Sequence, residues 1–223
     1  MNYKIAIDGP SGTGKSTTAK LLAKKLNFIY VDTGAMYRAV GLYCYRNNID
    51  PLKEEDVINI LDNIDINIFY KDGIQEVELN GEIVSKEIRE PYISKYTPYI
   101  SQYKKVREKL TVIQQDLANK NSVIMDGRDI GTVVLPNAEL KIFLTASDEV
   151  RAQRRYKELI SKGEDTQFDK VLKDLKERDY KDITRINSPL KQAEDAILID
   201  SSNLTIEEVV NKIYDMFNKK VGR

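Results

Sequence analysis

The chain has 223 residues, 41% of them hydrophobic and 31% charged, with 35 Lys and Arg balanced by 35 Asp and Glu. This is the make-up of a soluble globular protein with one substantial core and room for an excursion or two, and its near-zero net charge gives no general attraction to nucleic acid or an anionic membrane. With no His and a single Cys, a Ser-His-Asp triad, a Cys-His nucleophile pair, a His- or Cys-rich zinc site and an intramolecular disulfide are all excluded.

Lys4 to Asp8 reads as a short buried strand that stops at a Gly-rich turn, Gly9 to Gly14. A helix follows from Lys15 to Leu26, with Ala19, Leu22, Ala23 and Leu26 at i, i+3, i+4 and i+7 on one face. Phe28 to Val31 is a second short apolar strand. Strand, helix and strand in this order form a βαβ unit, so the fold is expected to be α/β with a parallel sheet. Buried strands of the same kind recur at Ser122 to Met125, Leu140 to Leu144 and Ala196 to Ile199.

The stretch between the second and third strands does not alternate in the βα manner and is read as an excursion. It holds a helix after Gly34 and another beginning at Asp50-Pro51. A polar β-like stretch follows, with turns at Lys71-Asp72-Gly73 and Asn80-Gly81, then a helix carrying Val106, Leu110, Ile113 and Leu117. Beyond the fourth strand, Ser147 caps an arginine-rich helix ended by Gly163. Another helix starts at Thr166, with Phe168, Val171, Leu172 and Leu175 on one face. The last opens on the capping box Thr205-Ile206-Glu207-Glu208. The start MNYK and the lack of any apolar run near the length of a membrane span give no secretory leader and no transmembrane helix, so a cytoplasmic location is expected. Cys44, between Tyr43 and Tyr45, reads as a small buried hydrophobe.

The chemistry is carried by Gly9-Pro10-Ser11-Gly12-Thr13-Gly14-Lys15-Ser16, followed by Thr17. It fits G-x-x-x-x-G-K-[ST] and lies between a strand and a helix, as a phosphate-binding P-loop requires. Glycines let backbone amides turn inward and the helix N-terminus faces the anion; Lys15 reaches the β and γ phosphates and Ser16 joins a magnesium shell. Asp126, at the end of the third strand, fits a carboxylate that holds the metal through water. A switch GTPase would also carry D-x-x-G and N-K-x-D, but none of the 11 glycines has an Asp three residues earlier and no N-K-x-D occurs. A P-loop switch or a structural role therefore ranks below an enzyme.

Asp32-Thr33-Gly34-Ala35-Met36-Tyr37-Arg38 and Asp126-Gly127-Arg128-Asp129-Ile130-Gly131-Thr132 follow the second and third strands. In an open parallel sheet, ligands bind beyond the carboxyl ends of the strands, so both segments are expected to meet the P-loop in one crevice. Arg151, Arg154 and Arg155 come later, and Arg178, Asp182 and Arg185 share a helix face. Phosphoryl transfer relies on positioning and cations, so the absence of His is no handicap.

These motifs resemble the nucleoside monophosphate kinases and, within them, the bacterial cytidylate kinases. The resemblance runs over nearly the whole chain, through IAIDGPSGTGKST, DTGAMYR, SKEIRE, VREKL, MDGRDIGTVV, KIFLTAS, RAQRRYKEL and KERDYKDITR. The pairing of DTGAMYR with DGRDIGT is its most specific part. It implies a three-layer α/β P-loop fold with a central parallel five-stranded sheet: a core of residues 1–36, 120–150 and 164–223, a monophosphate-binding insert at 37–119 with a small β-sheet, and a short lid at 151–163. It also implies transfer from ATP, with magnesium, to CMP or dCMP; UMP or AMP is the alternative acceptor. On this resemblance Arg38, Arg128 and Arg185 grip the acceptor phosphate, Arg107 and Asp129 read cytosine, and Arg178 and Asp182 hold the sugar. Thr33 stands where the family often has Ser, and Arg151, Arg154 and Arg155 close over the ATP phosphates. A monomer without nucleic-acid or membrane partners is expected. One departure falls at Pro98, where the family commonly has a base-contacting Ser; Thr97 and Ser101 are the hydroxyls nearby.

Overall fold

The computed structural model describes residues 2–71 and 74–222. The first elements are β1 (Lys4–Asp8), α1 (Lys15–Leu26) and β2 (Ile29–Asp32). Next come α2 (Thr33–Arg46), α3 (Glu54–Asn59), β3 (Ile66–Lys71), β4 (Ile74–Leu79), β5 (Glu82–Ile83), α4 (Pro91–Ile100) and α5 (Lys104–Lys120). The chain then runs through β6 (Val123–Gly127), β7 (Leu140–Thr145), α6 (Asp148–Ser161), α7 (Phe168–Thr184), β8 (Ile197–Asp200) and α8 (Ile206–Val221). Two compact units result, residues 1–30 with 121–223, and residues 31–120.

In the first unit the sheet order is β2-β6-β1-β7-β8, and the pairs of β1 with β6, β1 with β7 and β7 with β8 are parallel. The expected α/β architecture with five strands is therefore present. The strands read as unbroken apolar runs because they are covered on both faces. Ile5, Ile7, Ile124, Ile142 and Leu144 bury against Leu22 of α1 and Val209, Ile213 and Phe217 of α8. Phe217 meets the rings of Tyr3 and Phe28 edge-on at 5.4 and 5.5 Å, and its truncation to Ala would cost about 3–5 kcal/mol. The register sets Ile7 opposite Asp126 and Asp8 opposite Gly127, so both carboxylates stand at the same end of adjacent strands. The capping box forms as expected: Glu208 N–H donates to Thr205 Oγ1 and Thr205 N–H to Glu208 Oε2. Ser147 Oγ likewise caps α6 by accepting from Val150 N–H.

The second unit joins α2, α4 and α5 to an antiparallel sheet in the order β3-β4-β5. Asn80 and Gly81, both at positive φ, make the expected turn between β4 and β5. The turn expected at 71–73 involves residues 72 and 73, which lie outside the described residues. The helix expected at Asp50-Pro51 begins instead at Glu54. Asp50 Oδ1 accepts from Leu52 N–H and its carbonyl from Lys53 N–H, closing a turn that delays the helix. Among the described residues no helix is long and apolar enough to cross a membrane.

Candidate active site

The loop between β1 and α1 has a shape that side chains would forbid. A Cβ on Gly9 would lie 2.0 Å from the Leu144 carbonyl oxygen on β7, and Gly14, the residue preceding α1, is left-handed at φ 90. No side chain caps α1, which leaves its N-terminus facing the loop. Lys15, 5% exposed, turns its Nζ to the Pro10 carbonyl at 2.5 Å and Thr13 Oγ1 at 3.3 Å. Burial, reinforced by the charge of Arg128, holds this ammonium well below the usual lysine range, against the opposing pull of Asp126 and Asp8. Ser16 Oγ donates to Asp126 Oδ2 and Tyr30 Oη to Asp126 Oδ1, each at 2.8 Å, so the carboxylate at the end of β6 is aimed from both sides.

Asp8, which the motif reading passed over as the last strand residue, accepts from Ile130 N–H at 2.8 Å and Gly131 N–H at 2.7 Å. It thereby ties the π-helical turn Ile130–Val134, and with it the Asp126-Gly127-Arg128-Asp129 segment, to the strand before the loop. Burial pushes its carboxyl up to about 6, while the two amides draw it down.

Arg128, Asp129, Asp182 and Arg185 form an alternating chain of charge. Arg128 Nε donates to Asp182 Oδ2 at 2.7 Å, Arg185 Nη1 lies 3.6 Å from Asp182 Oδ1, and Arg185 Nη2 lies 3.7 Å from Asp129 Oδ1. Arg185 Nε is fixed on the Ser188 carbonyl at 2.7 Å. Burial alone would raise the Asp182 carboxyl, but Arg128, Arg178 and Arg185 together hold it below the usual carboxylate value. Arg178 is exposed on the same helix.

The three arginines read as a lid divide. Arg151 is 4% exposed: its Nε donates to the Ala146 carbonyl at 3.0 Å, and its Nη1 to the Ser11 carbonyl at 2.8 Å and to Asp179. Arg154 donates to the Thr13 carbonyl at 3.3 Å and to Ser201 Oγ and O. Both brace the loop from behind. Arg155 is exposed and pairs with Glu158 at 2.8 Å. Asp179, which the sequence did not single out, also accepts from Ser11 N–H at 3.1 Å.

In the second unit, Asp32 caps α2 by accepting from Ala35 N–H and pairs with Arg89 at 3.2 Å, placing Thr33 in the buried first turn. Arg38 Nη1 donates to Ser94 Oγ at 2.9 Å and the Ile88 carbonyl at 3.4 Å. Arg107, buried in α5, donates to the Ser101 carbonyl at 2.9 Å with its guanidinium 5.3 Å from the Tyr37 ring. Pro98 lies inside α4. The Thr97 hydroxyl donates to the Ile93 carbonyl and that of Ser101 to the Pro98 carbonyl.

A family model described as cytidylate kinase matches residues 5–219. The cytidylate kinase of Caldicellulosiruptor saccharolyticus is 56% identical, over 98% of this chain and 96% of its own length. That of Lactobacillus johnsonii is 48% identical, over 99% and 96%. Among solved structures, a gluconokinase from Sinorhizobium meliloti matches with a TM-score of 0.51 at 12% identity, over 97% of this chain and 92% of its own, a likeness of fold alone.

Proposed function

The chain belongs to the cytidylate kinase family, and from that premise we propose that it moves the γ-phosphoryl group of ATP to CMP or dCMP, releasing ADP and CDP or dCDP. The observation that carries this reading is the partly buried chain Arg128–Asp182–Arg185–Asp129, in the same unit as the loop that carries Lys15 and Ser16. A hydrolase or a switch has no need of a second set of pre-aimed cations; a transferase with an anionic acceptor does.

In this reading the loop from Gly9 to Thr17 cradles the ATP phosphates, and the negative charge they bring favours the ammonium form of Lys15 that burial disfavours. Arg38, Arg128 and Arg185 aim the acceptor phosphate in line. Arg107 and Asp129 take the base, Arg178 and Asp182 the sugar, and Thr33 contributes to binding the acceptor. The acceptor oxygen is already anionic, so no general base is required. A hydroxyl and a carboxylate with oxygens 2.8 Å apart suit a hard cation that keeps water in its shell, so Ser16, and Asp126 through water, would hold magnesium. When bound, magnesium would offset the negative charge of the transferring phosphates. Residues 151–163 serve as a short lid over the core of 1–36, 120–150 and 164–223, with 37–119 as the acceptor insert. Within it Arg155 is the arginine placed to swing, while Arg151 and Arg154 keep the loop in shape. The same reading makes the protein a cytoplasmic monomer.

A second reading, looser base selection that admits UMP, rests on Pro98: it has neither hydroxyl nor N–H, and the Thr97 and Ser101 hydroxyls are bonded back to their own segment. ADP release from Mg-ATP with CMP, dCMP, UMP, AMP or no acceptor decides. Turnover with CMP and dCMP alone supports the first reading and comparable turnover with UMP the second; acceptor-independent release would overturn both. Lys15→Ala should lower kcat by roughly 10³-fold, the scale for losing a central electrostatic group; a wild-type kcat in this variant would remove the P-loop from the mechanism.

A further inference from the structure

Ser11 stands at the crest of the loop, and both of its backbone groups are engaged on the side of α6 and α7. Its N–H donates to Asp179 Oδ1 at 3.1 Å, and its carbonyl accepts from Arg151 Nη1 at 2.8 Å. Arg151 and Asp179 bond directly to each other and are 4% and 7% exposed. This ion pair is thus a buried clamp on the two peptide groups that flank Ser11 in the phosphate loop. Arg151 Nη2 also pairs with Asp148, so the guanidinium is fixed between two carboxylates, and a buried pair braced in this way resists departure from one geometry.

Asp179 lies on α7 one helical turn before Asp182. Asp182 in turn holds Arg128 at 2.7 Å and Arg185 at 3.6 Å, the two guanidinium groups assigned above to the acceptor phosphate. One turn of one helix therefore carries the anchor of the donor loop and the anchor of the acceptor arginines. We propose that Asp179 is a positioning residue that fixes the ATP loop in register with Arg128 and Arg185, so that the spacing between donor and acceptor phosphates is set by the rise of α7 between Asp179 and Asp182. This rests on the kinase reading given above. Asp179 touches no reacting atom; it acts through Ser11 and Arg151.

The test compares wild type, Asp179→Ala and Asp179→Asn. Asp179→Asn keeps an oxygen for the Ser11 N–H but removes one of the two carboxylates, Asp179 and Asp148, that hold Arg151. Three quantities are read: kcat with CMP, the ratio of CMP-dependent ADP release to release without acceptor, and Mg-ATP affinity by titration calorimetry. Asp179→Ala should lower kcat by roughly 10²-fold, the scale of a ~1 Å misplacement, and shift the ratio toward hydrolysis; Asp179→Asn should fall between it and wild type. A purely structural role would lower the unfolding temperature and leave the ratio unchanged in the folded protein, and that result overturns the proposal. Should Asp179→Ala fail to fold, Asp179→Asn decides: an unchanged ratio and unchanged Mg-ATP affinity overturn the proposal. Should wild type show no CMP-dependent turnover, it is the acceptor reading that fails, and calorimetry decides for the clamp alone, since weaker Mg-ATP binding in Asp179→Asn supports it and equal binding overturns it.

Discussion

The arginines assigned to the acceptor phosphate and base are held by different partners in the two units. In residues 1–30 with 121–223, guanidinium groups are set against carboxylates: Arg128 on Asp182, Arg151 on Asp179, Arg185 between Asp182 and Asp129. In residues 31–120, Arg38 is aimed by the Ser94 hydroxyl and the Ile88 carbonyl, and Arg107 by the Ser101 carbonyl beside the Tyr37 ring. Ionic aiming is rigid but unforgiving, since removing one partner strands a buried charge. Breaking a bond to a hydroxyl or carbonyl loses that one hydrogen bond.

The comparison breaks most visibly at Asp182. Replacing it by Ala takes the paired carboxylate from Arg128 and one of two from Arg185, and urea unfolding should show a loss of about 3–5 kcal/mol. A loss below about 1 kcal/mol would mean that the ionic chain is no more demanding than an exposed pair.

Asp8 sharpens the comparison, because this carboxylate is aimed by amides instead of a cation. The folded chain keeps its proton to about pH 6, against 3.8 for the ordinary carboxyl. This group therefore favours the folded state at low pH, and its contribution is lost as pH rises from about 4 to about 6. The unfolding free energy of wild type minus that of Asp8→Asn should decline by on the order of 3 kcal/mol across that window. A flat difference would put the Asp8 carboxyl at its ordinary value. Asp182, held low by its arginines, runs the other way: its contribution is full above the unfolded carboxyl value and is lost as pH falls through the lower folded one.

The smallest effect belongs to the second unit. Ser94→Ala removes one hydrogen bond to Arg38, worth about 1.5–3 kcal/mol at most, and should raise KM for the acceptor several-fold with little change in Tm. A drop in Tm as large as that of Asp182→Ala would erase the distinction between the units.

Much of the first unit was legible before any coordinates. Its strands are continuous apolar runs bounded by turns, and β1 and α1 fall on the residues that periodicity marks, because burial on both faces leaves few other places for those side chains. The P-loop was readable from its motif between β1 and α1, and Ser16 and Asp126 could each be singled out, whereas the direct bond between them could not. Helix α4 was not: Pro91 suits its first turn, but Pro98 in its interior and the run of tyrosines obscure the helical period. Nor could sequence divide the arginines of α6. Residues 151, 154 and 155 look alike on a helix, and partners remote in the chain, Asp179 and the Ser11 carbonyl, make Arg151 a buried strut while Arg155 stays at the surface. Asp8 was hidden for a similar reason, since its two amide donors come from a turn on another strand.

Cys44, fully buried on α2, is the single sulfhydryl of the chain, and burial pushes its thiol up to about 11. Alkylating reagents attack thiolate, so at neutral pH this residue is chemically silent. An introduced surface cysteine is then the sole target for a maleimide, with no native residue to delete first. A pair placed at the exposed Lys105 and Lys170, one in each unit, would carry two dyes whose energy transfer reads the separation of the units as ATP and acceptor bind.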